Sequence, residues 1–237
     1  MSTDTYRTEP YHAHRDYIIL TDLLHWMRDA LPLSEGPVLD FGCCDSPYRS
    51  LFEGREYHRA DLPGTPEIDF EIAADESIAS ESGRYGTVLS TQVLEHVDRY
   101  REYLSEAHRL LYPGGRLFIS THGLFEEHGH PHDFRRWTLT ALAADLRRAG
   151  FEIDRADKLT LGPRALLYMM GSHFWKVNAS RKSLGGFLLS QVRAFIEKHP
   201  DRWNRFNDKH FGRFNFAADI EGNESLYIGV AVVARKP

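Results

Sequence analysis

The chain is poor in cysteine: Cys43 and Cys44 are its only two, and they are neighbours. That excludes a disulfide framework and any four-cysteine zinc site. No run of 18 apolar residues exists, so no membrane-spanning helix is expected. The first ten residues, MSTDTYRTEP, carry no apolar signal region, and cytoplasmic residence is the expectation. An excess of positive charge is also missing: 29 Lys and Arg stand against 34 Asp and Glu, a net −5. That balance argues against nucleic acid as a general partner. Internal repeats and low-complexity tracts are absent. So is the G-x-G-x-x-G turn of nicotinamide enzymes, because Gly42 meets no second glycine before Gly54.

What remains is an ordinary soluble composition. The 237 residues are 42% hydrophobic and 27% charged, enough for one domain with a sizeable core and an embellishment. Apolar residues at helical spacing predict a helix within 13–30, closed by Pro32 and Gly36. A buried strand follows at 37–41, then strands at 56–62, 68–73 and 85–90. A helix is expected over 98–112, ended by Pro113-Gly114-Gly115, and a fifth strand over 116–121. Thr138 and Gly150 read as the caps of another helix. A sixth strand at 151–160, an irregular helical stretch over 163–215 and a last strand at 225–235 complete the order. Strands alternating with helices mean an α/β fold with a mostly parallel sheet and helices on both faces. Ligands of such sheets lie at the carboxyl ends of the strands.

The first such end reads Val38-Leu39-Asp40-Phe41-Gly42-Cys43-Cys44-Asp45-Ser46. Glycine there lets a ligand approach the backbone. Asp61 ends the next strand, 21 residues after Asp40, where a carboxylate suits two ribose hydroxyls. Together with Asp75-Glu76-Ser77-Ile78, Thr87 to Val97 and Leu111-Tyr112-Pro113-Gly114-Gly115-Arg116-Leu117, these segments resemble, in order, the motifs of the class I S-adenosylmethionine-dependent methyltransferases. The resemblance covers about residues 37–160 and implies a Rossmann-like, seven-stranded sheet and S-adenosyl-L-methionine as cofactor. The chain departs from the pattern at Cys44 and Ser46, where the family commonly has glycine.

The resemblance implies cofactor contacts at Asp40, Gly42, Cys43, Cys44, Asp61, Leu62, Asp75, Glu76, Ser90 and Gln92. A structural role for Asp40 stays open, and Leu62 and Ile78 would look alike as adenine walls or as core. Methyl transfer needs alignment, and a base only where the acceptor loses a proton. His96, His122 and His132 are the candidate bases; packing or capping is the plain alternative for His96. His130, Arg136 and Trp175 are candidate contacts to an acceptor, which the aromatic and basic insert suits if it is bulky and anionic. Arg136, in Asp133-Phe134-Arg135-Arg136-Trp137-Thr138, alternatively ties its loop to the next helix. No metal ligands are assigned, although His128, His130 and His132 admit a loop-metal enzyme as a rival reading.

Residues 1–36 are read as an N-terminal helical cap and 37–162 as the cofactor-binding core. Residues 163–224 are read as a helical insert that lids the acceptor, and 225–237 as the core's last strand. Residues 176–213 hold nine Lys and Arg against three Asp and Glu, so the rest of the chain carries −11. The expected activity is methylation of a small or medium-sized acceptor, at oxygen or nitrogen before carbon. A non-catalytic cofactor-binding module is the rival, and a homodimer contact through the insert stays open.

Overall fold

A computed structural model describes residues 5–129, 131–173, 183–212, 216–217 and 226–237. The helices are α1 (Thr5–Thr8), α2 (Tyr17–Ala30), α3 (Tyr100–Leu110), α4 (Leu139–Arg148), α5 (Gly162–His173), α6 (Leu184–Lys198) and α7 (Pro200–Phe211). The strands are β1 (Val38–Phe41), β2 (Tyr57–Asp61), β3 (Phe70–Glu71), β4 (Tyr85–Thr91), β5 (Leu111–His122), β6 (Glu152–Leu161), β7 (Phe216–Ala217) and β8 (Tyr227–Arg235). They form one sheet in the order β3-β2-β1-β4-β5-β8-β6-β7. The pairs β2–β3, β1–β2, β1–β4 and β4–β5 are parallel; β8 runs antiparallel to both β5 and β6. The expected seven strands are all present, and β7 adds two residues at the edge.

Period-2 alternation sorts the core into two layers. Leu39, Phe41, Val88, Leu117, Ile119, Val230 and Val232 face Tyr103, Leu104 and Ala107 of α3 and Leu142 and Leu146 of α4. Val38, Leu89, Phe118, Ala231 and Val233 face Leu23, Leu24, Trp26 and Met27 of α2. Helices therefore cover both faces. The Thr138 hydroxyl caps α4 by accepting from the Ala141 amide, and Gly150 stands one residue past the C-cap at φ +96°.

Two expectations are corrected. Pro113-Gly114-Gly115 does not lie between α3 and β5; β5 starts at Leu111. Its pairing jumps from Tyr85–Leu111 to Thr87–Arg116, so a bulge absorbs the tripeptide. Nor does a helix follow every strand. The β1–β2 connection holds a 3₁₀ turn at Arg49–Phe52, and residues 72–84 form a loop.

The insert is pinned to the N-terminal segment. Fully buried Arg164 of α5 pairs with Asp22 of α2 at 2.8 Å and with Asp208 of α7 at 2.9 Å. Asp208 also accepts from the Tyr17 hydroxyl at 2.7 Å. Thr160, at φ +55° despite its branched Cβ, donates its hydroxyl to Asp22. A charge network without water is stable only when each charge is paired, as here.

Candidate active site

The carboxyl ends of β1, β2 and β4 converge on the turn that follows β1. Gly42 adopts φ +79°, and a Cβ there would lie 2.5 Å from Val93 Cγ1, so only glycine fits. Cys44 and Ser46 sit at φ +48° and +53°, in the left-handed region, without glycine. β2 holds them there with two side chains on one face. Arg59 donates to the Cys44 carbonyl at 2.7 Å, to Ser46 Oγ at 2.8 Å and to the Glu67 carbonyl at 2.7 Å. Asp61 accepts from the Cys44 amide at 2.5 Å and from the Leu62 amide at 2.7 Å. Sequence reasoning missed Arg59; its signal is the i, i+2 spacing with Asp61 beside a turn lacking glycine.

Around this turn, Leu62 is exposed while Ile78 is core. Asp75 accepts from the Ser77 amide and hydroxyl, which hold its carboxyl below the usual range. Glu76 is half-buried at φ +69°, and burial raises its pKa. Gln92, at φ +56°, donates its amide to Ser120 Oγ, while its buried Oε1 has no hydrogen-bond partner among the described residues. These residues suit S-adenosylmethionine. Asp61 offers a carboxylate suited to ribose hydroxyls, Leu62 an exposed apolar side chain, and Gln92 Oε1 an acceptor without a hydrogen-bond partner among the described residues, suited to an ammonium group.

Three expected contacts are corrected. Ser90 is fully buried, its hydroxyl 2.9 Å from the Tyr103 hydroxyl, so it faces the core. Asp40 is buried and accepts from the Tyr57 hydroxyl at 2.7 Å; burial raises its pKa to about 6. Its role is to brace the turn. Cys43 is likewise buried, and burial pushes its thiol up to about 12, so it stays protonated and inert. Cys44 contributes its backbone; its thiol is exposed.

Beyond the ends of β4 and β5 lies a group of imidazoles. His96 Nδ1 sits 2.6 Å from the His132 carbonyl, so Nδ1 carries the proton and Nε2 the lone pair. His132 acts through that carbonyl; its side chain is exposed, beside Phe134. His122 is buried, stacked on Phe125 at 4.0 Å, with Nε2 3.3 Å from Glu95 Oε1. Burial drives its pKa down to about 3, so it is neutral at pH 7 and a poor proton acceptor. Phe125 stacks in turn on Tyr168 of α5.

Glu95 was given no role in the sequence analysis, although it lies in the Thr87–Val97 segment beside His96. It is fully buried and accepts from Thr121 Oγ1 at 2.8 Å. Glu95, His122 and His128 place one ligand-type atom each within 4.8 Å of one another. The rival His128, His130, His132 set includes His130, which lies outside the described residues.

Arg136 is corrected as a substrate contact. Its five N–H donors reach Asp133 Oδ1 and Oδ2 and the carbonyls of Phe125, Glu126 and Arg135. The guanidinium is saturated and ties the loop together, holding Asp133 well below the usual carboxylate range. His130 and Trp175 lie outside the described residues. A cavity of about 610 Å³, lined by Thr8, Ser46, Pro47, Arg49 and Tyr57 among others, opens on the far side of the turn, away from the imidazoles.

A mixed sheet, parallel through β3-β2-β1-β4-β5 with β8 reversed between β5 and β6 and helices on both faces, is the fold of a class I methyltransferase. A sequence model of the methyltransferase-domain family matches residues 11–156, and the chain belongs to that family. S-adenosylmethionine is its cofactor. The chain is 25% identical to a ubiquinone biosynthesis O-methyltransferase of Pseudomonas aeruginosa, over 63% of this chain and 78% of that one. A Thermotoga maritima methyltransferase structure, described as a possible histamine N-methyltransferase, matches 98% of both chains at 13% identity, TM-score 0.57. Haemonchus contortus phosphoethanolamine N-methyltransferase 2, solved with S-adenosylmethionine, matches 99% of this chain and 57% of that one at 15% identity, TM-score 0.52. These two show the fold. No helix among the described residues is long and apolar enough to cross a membrane.

Proposed function

We propose that the chain methylates an oxygen of a small or medium-sized acceptor. His96 carries this reading: its imidazole, held through Nδ1 by the His132 carbonyl, stands beyond β4, where a hydroxyl needs to lose a proton. The relatives with a curated name support it, being O-methyltransferases at 25% identity.

The cofactor, when bound, supplies a methyl group on a sulfonium sulfur. Asp61 accepts from the ribose hydroxyls, Leu62 and Glu76 line the adenine, and Gln92 Oε1 takes the methionine ammonium. Gly42 and Cys44 approach with backbone. His96 receives the acceptor's proton at Nε2. Phe125 and Tyr168 wall the acceptor and exclude water, and α5, the first part of the insert, acts as the side of a lid. The residues 1–36 cap the cleft through Arg7, whose guanidinium feels Asp45 of the turn.

The test has two stages. S-adenosylhomocysteine should raise the midpoint of thermal unfolding, and NAD should not. At about 100 times Kd a ligand adds about 2.7 kcal/mol to the folded state. Turnover is then read as S-adenosylhomocysteine release against phenols, alcohols and amines. His96→Ala should lower kcat for a hydroxyl acceptor about 10²–10⁴-fold with cofactor affinity unchanged. Turnover on amines alone, or full activity in His96→Ala, removes the hydroxyl reading.

A further inference from the structure

We infer that Glu95, His122 and His128 bind a divalent first-row transition-metal ion, and that this ion takes the acceptor's oxygen. Two imidazoles and one carboxylate, with positions left open, form a donor set for Zn²⁺, Fe²⁺ or Co²⁺, not for the oxygen-loving Mg²⁺ or Ca²⁺.

Four observations carry the inference. First, Glu95 is fully buried, and its Oε1 makes no hydrogen bond among the described residues. A carboxylate taken out of water needs a cation or a full set of donors, and the Thr121 hydroxyl with Glu95's own backbone amide still leaves Oε1 without one among the described residues. Second, that Oε1 lies 3.3 Å from His122 Nε2. Two ligands at about 2.1 Å from a tetrahedral ion stand about 3.4 Å apart, so this edge of the site is already formed. Third, the third ligand atom is within 4.8 Å of both, on the irregular loop after β5, where a shift of about 1 Å closes the set.

Fourth, the surroundings orient His128. Its Nδ1 hydrogen-bonds the Glu126 carbonyl at 3.3 Å and lies 3.3 Å from Asp133 Oδ2, and Asp133 is gripped by Arg136 and by the His128 amide. A carboxylate on one ring nitrogen fixes the tautomer and turns the other nitrogen to a metal. This also gives the saturated Arg136 a purpose. It holds the carboxylate that holds the imidazole.

The site stands beside His96, whose ring centroid is 5.0 Å from that of His128. An acceptor hydroxyl on an open position of the ion has its O–H bond weakened, and the proton passes to His96 Nε2. The role at the acceptor rests on the hydroxyl reading above; the binding of the ion does not.

The test is titration of the metal-free full chain with Co²⁺, read by its visible d–d bands, with elemental analysis after Zn²⁺ loading and gel filtration. One ion per chain is expected. Glu95→Gln and His122→Ala should each weaken Co²⁺ binding more than tenfold, and Asp133→Asn about 10–100-fold. His128→Ala, on a half-exposed loop, gives the same loss if the buried variants do not fold. The S-adenosylhomocysteine thermal shift should persist in every folded variant. No uptake by the wild type, or uptake that none of these variants weakens, overturns the proposal. Uptake through these residues without any S-adenosylhomocysteine shift keeps the ion site and removes the methyl-transfer reading. A shift without uptake does the reverse.

Discussion

The two halves of the cleft are built by opposite means. The cofactor half is backbone: a turn with left-handed positions at every second residue, Gly42, Cys44 and Ser46, clamped from β2 by Arg59 and Asp61. The acceptor half is side chains: imidazoles on loops, set against one buried carboxylate and fastened by one saturated guanidinium. A surface shared by every reaction of a family can be backbone, because the ligand does not change. A surface that chooses an acceptor needs side chains on loops, which vary without disturbing the sheet.

That contrast breaks in measurable ways. Gly42→Val should do the most damage. It forces a branched residue to φ +79° and drives Cβ to 2.5 Å from Val93. Strain and overpacking together cost about 2–5 kcal/mol, read as a lower urea midpoint with little change in m. A stable Gly42→Val would mean that the turn is soft. Arg59→Met comes next, losing charge-assisted bonds to the turn worth about 1.5–3 kcal/mol, and cofactor affinity should fall with stability. Asp61→Asn should weaken cofactor binding by about 1–3 kcal/mol while leaving Co²⁺ uptake intact, since the two halves share no side chain.

A pH effect of similar size follows from Asp40. Its folded pKa of about 6 lies above the ordinary 3.8. The folded state therefore holds a proton that the unfolded chain releases. The stability this confers is full below about pH 4 and is lost as pH rises through 6. Asp40→Asn should flatten that part of the stability–pH curve, seen by urea titration at pH 4, 5 and 6.5. An unchanged slope would place the proton elsewhere. Cys44→Gly should have the smallest effect. Relief at φ +48° offsets the added freedom of the unfolded chain, leaving stability within about 1 kcal/mol.

The same contrast decides what could be read from the chain beforehand. Strand positions, the α4 caps, Gly42 and Asp61 were legible because each is written in adjacent residues: a period of two, a cap, a turn. The departures at Cys44 and Ser46 were visible, but their remedy was not. A buried Arg59 in a strand looks like a solvent-facing one until β1 is laid beside it. The acceptor half depends on contacts between residues far apart in sequence. Glu95 meets Thr121 and His122 across 26 and 27 positions. Local pattern assigned the histidine-rich loop to the site, yet could not say that His132 would offer its carbonyl and Arg136 its whole guanidinium to the loop itself.

The position of β8 bears on how the chain is made. It is the last strand in sequence, yet it stands between β5 and β6, which have no other link across the sheet. Until residue 235 has left the ribosome, the β8-facing edges of β5 and β6 stay open, although β5 can already pair with β4 and β6 with β7. Pairing of β8 therefore closes a gap within the sheet. A short peptide of the β8 sequence, supplied in trans to a chain cut before residue 226, should fill that gap and restore the fold.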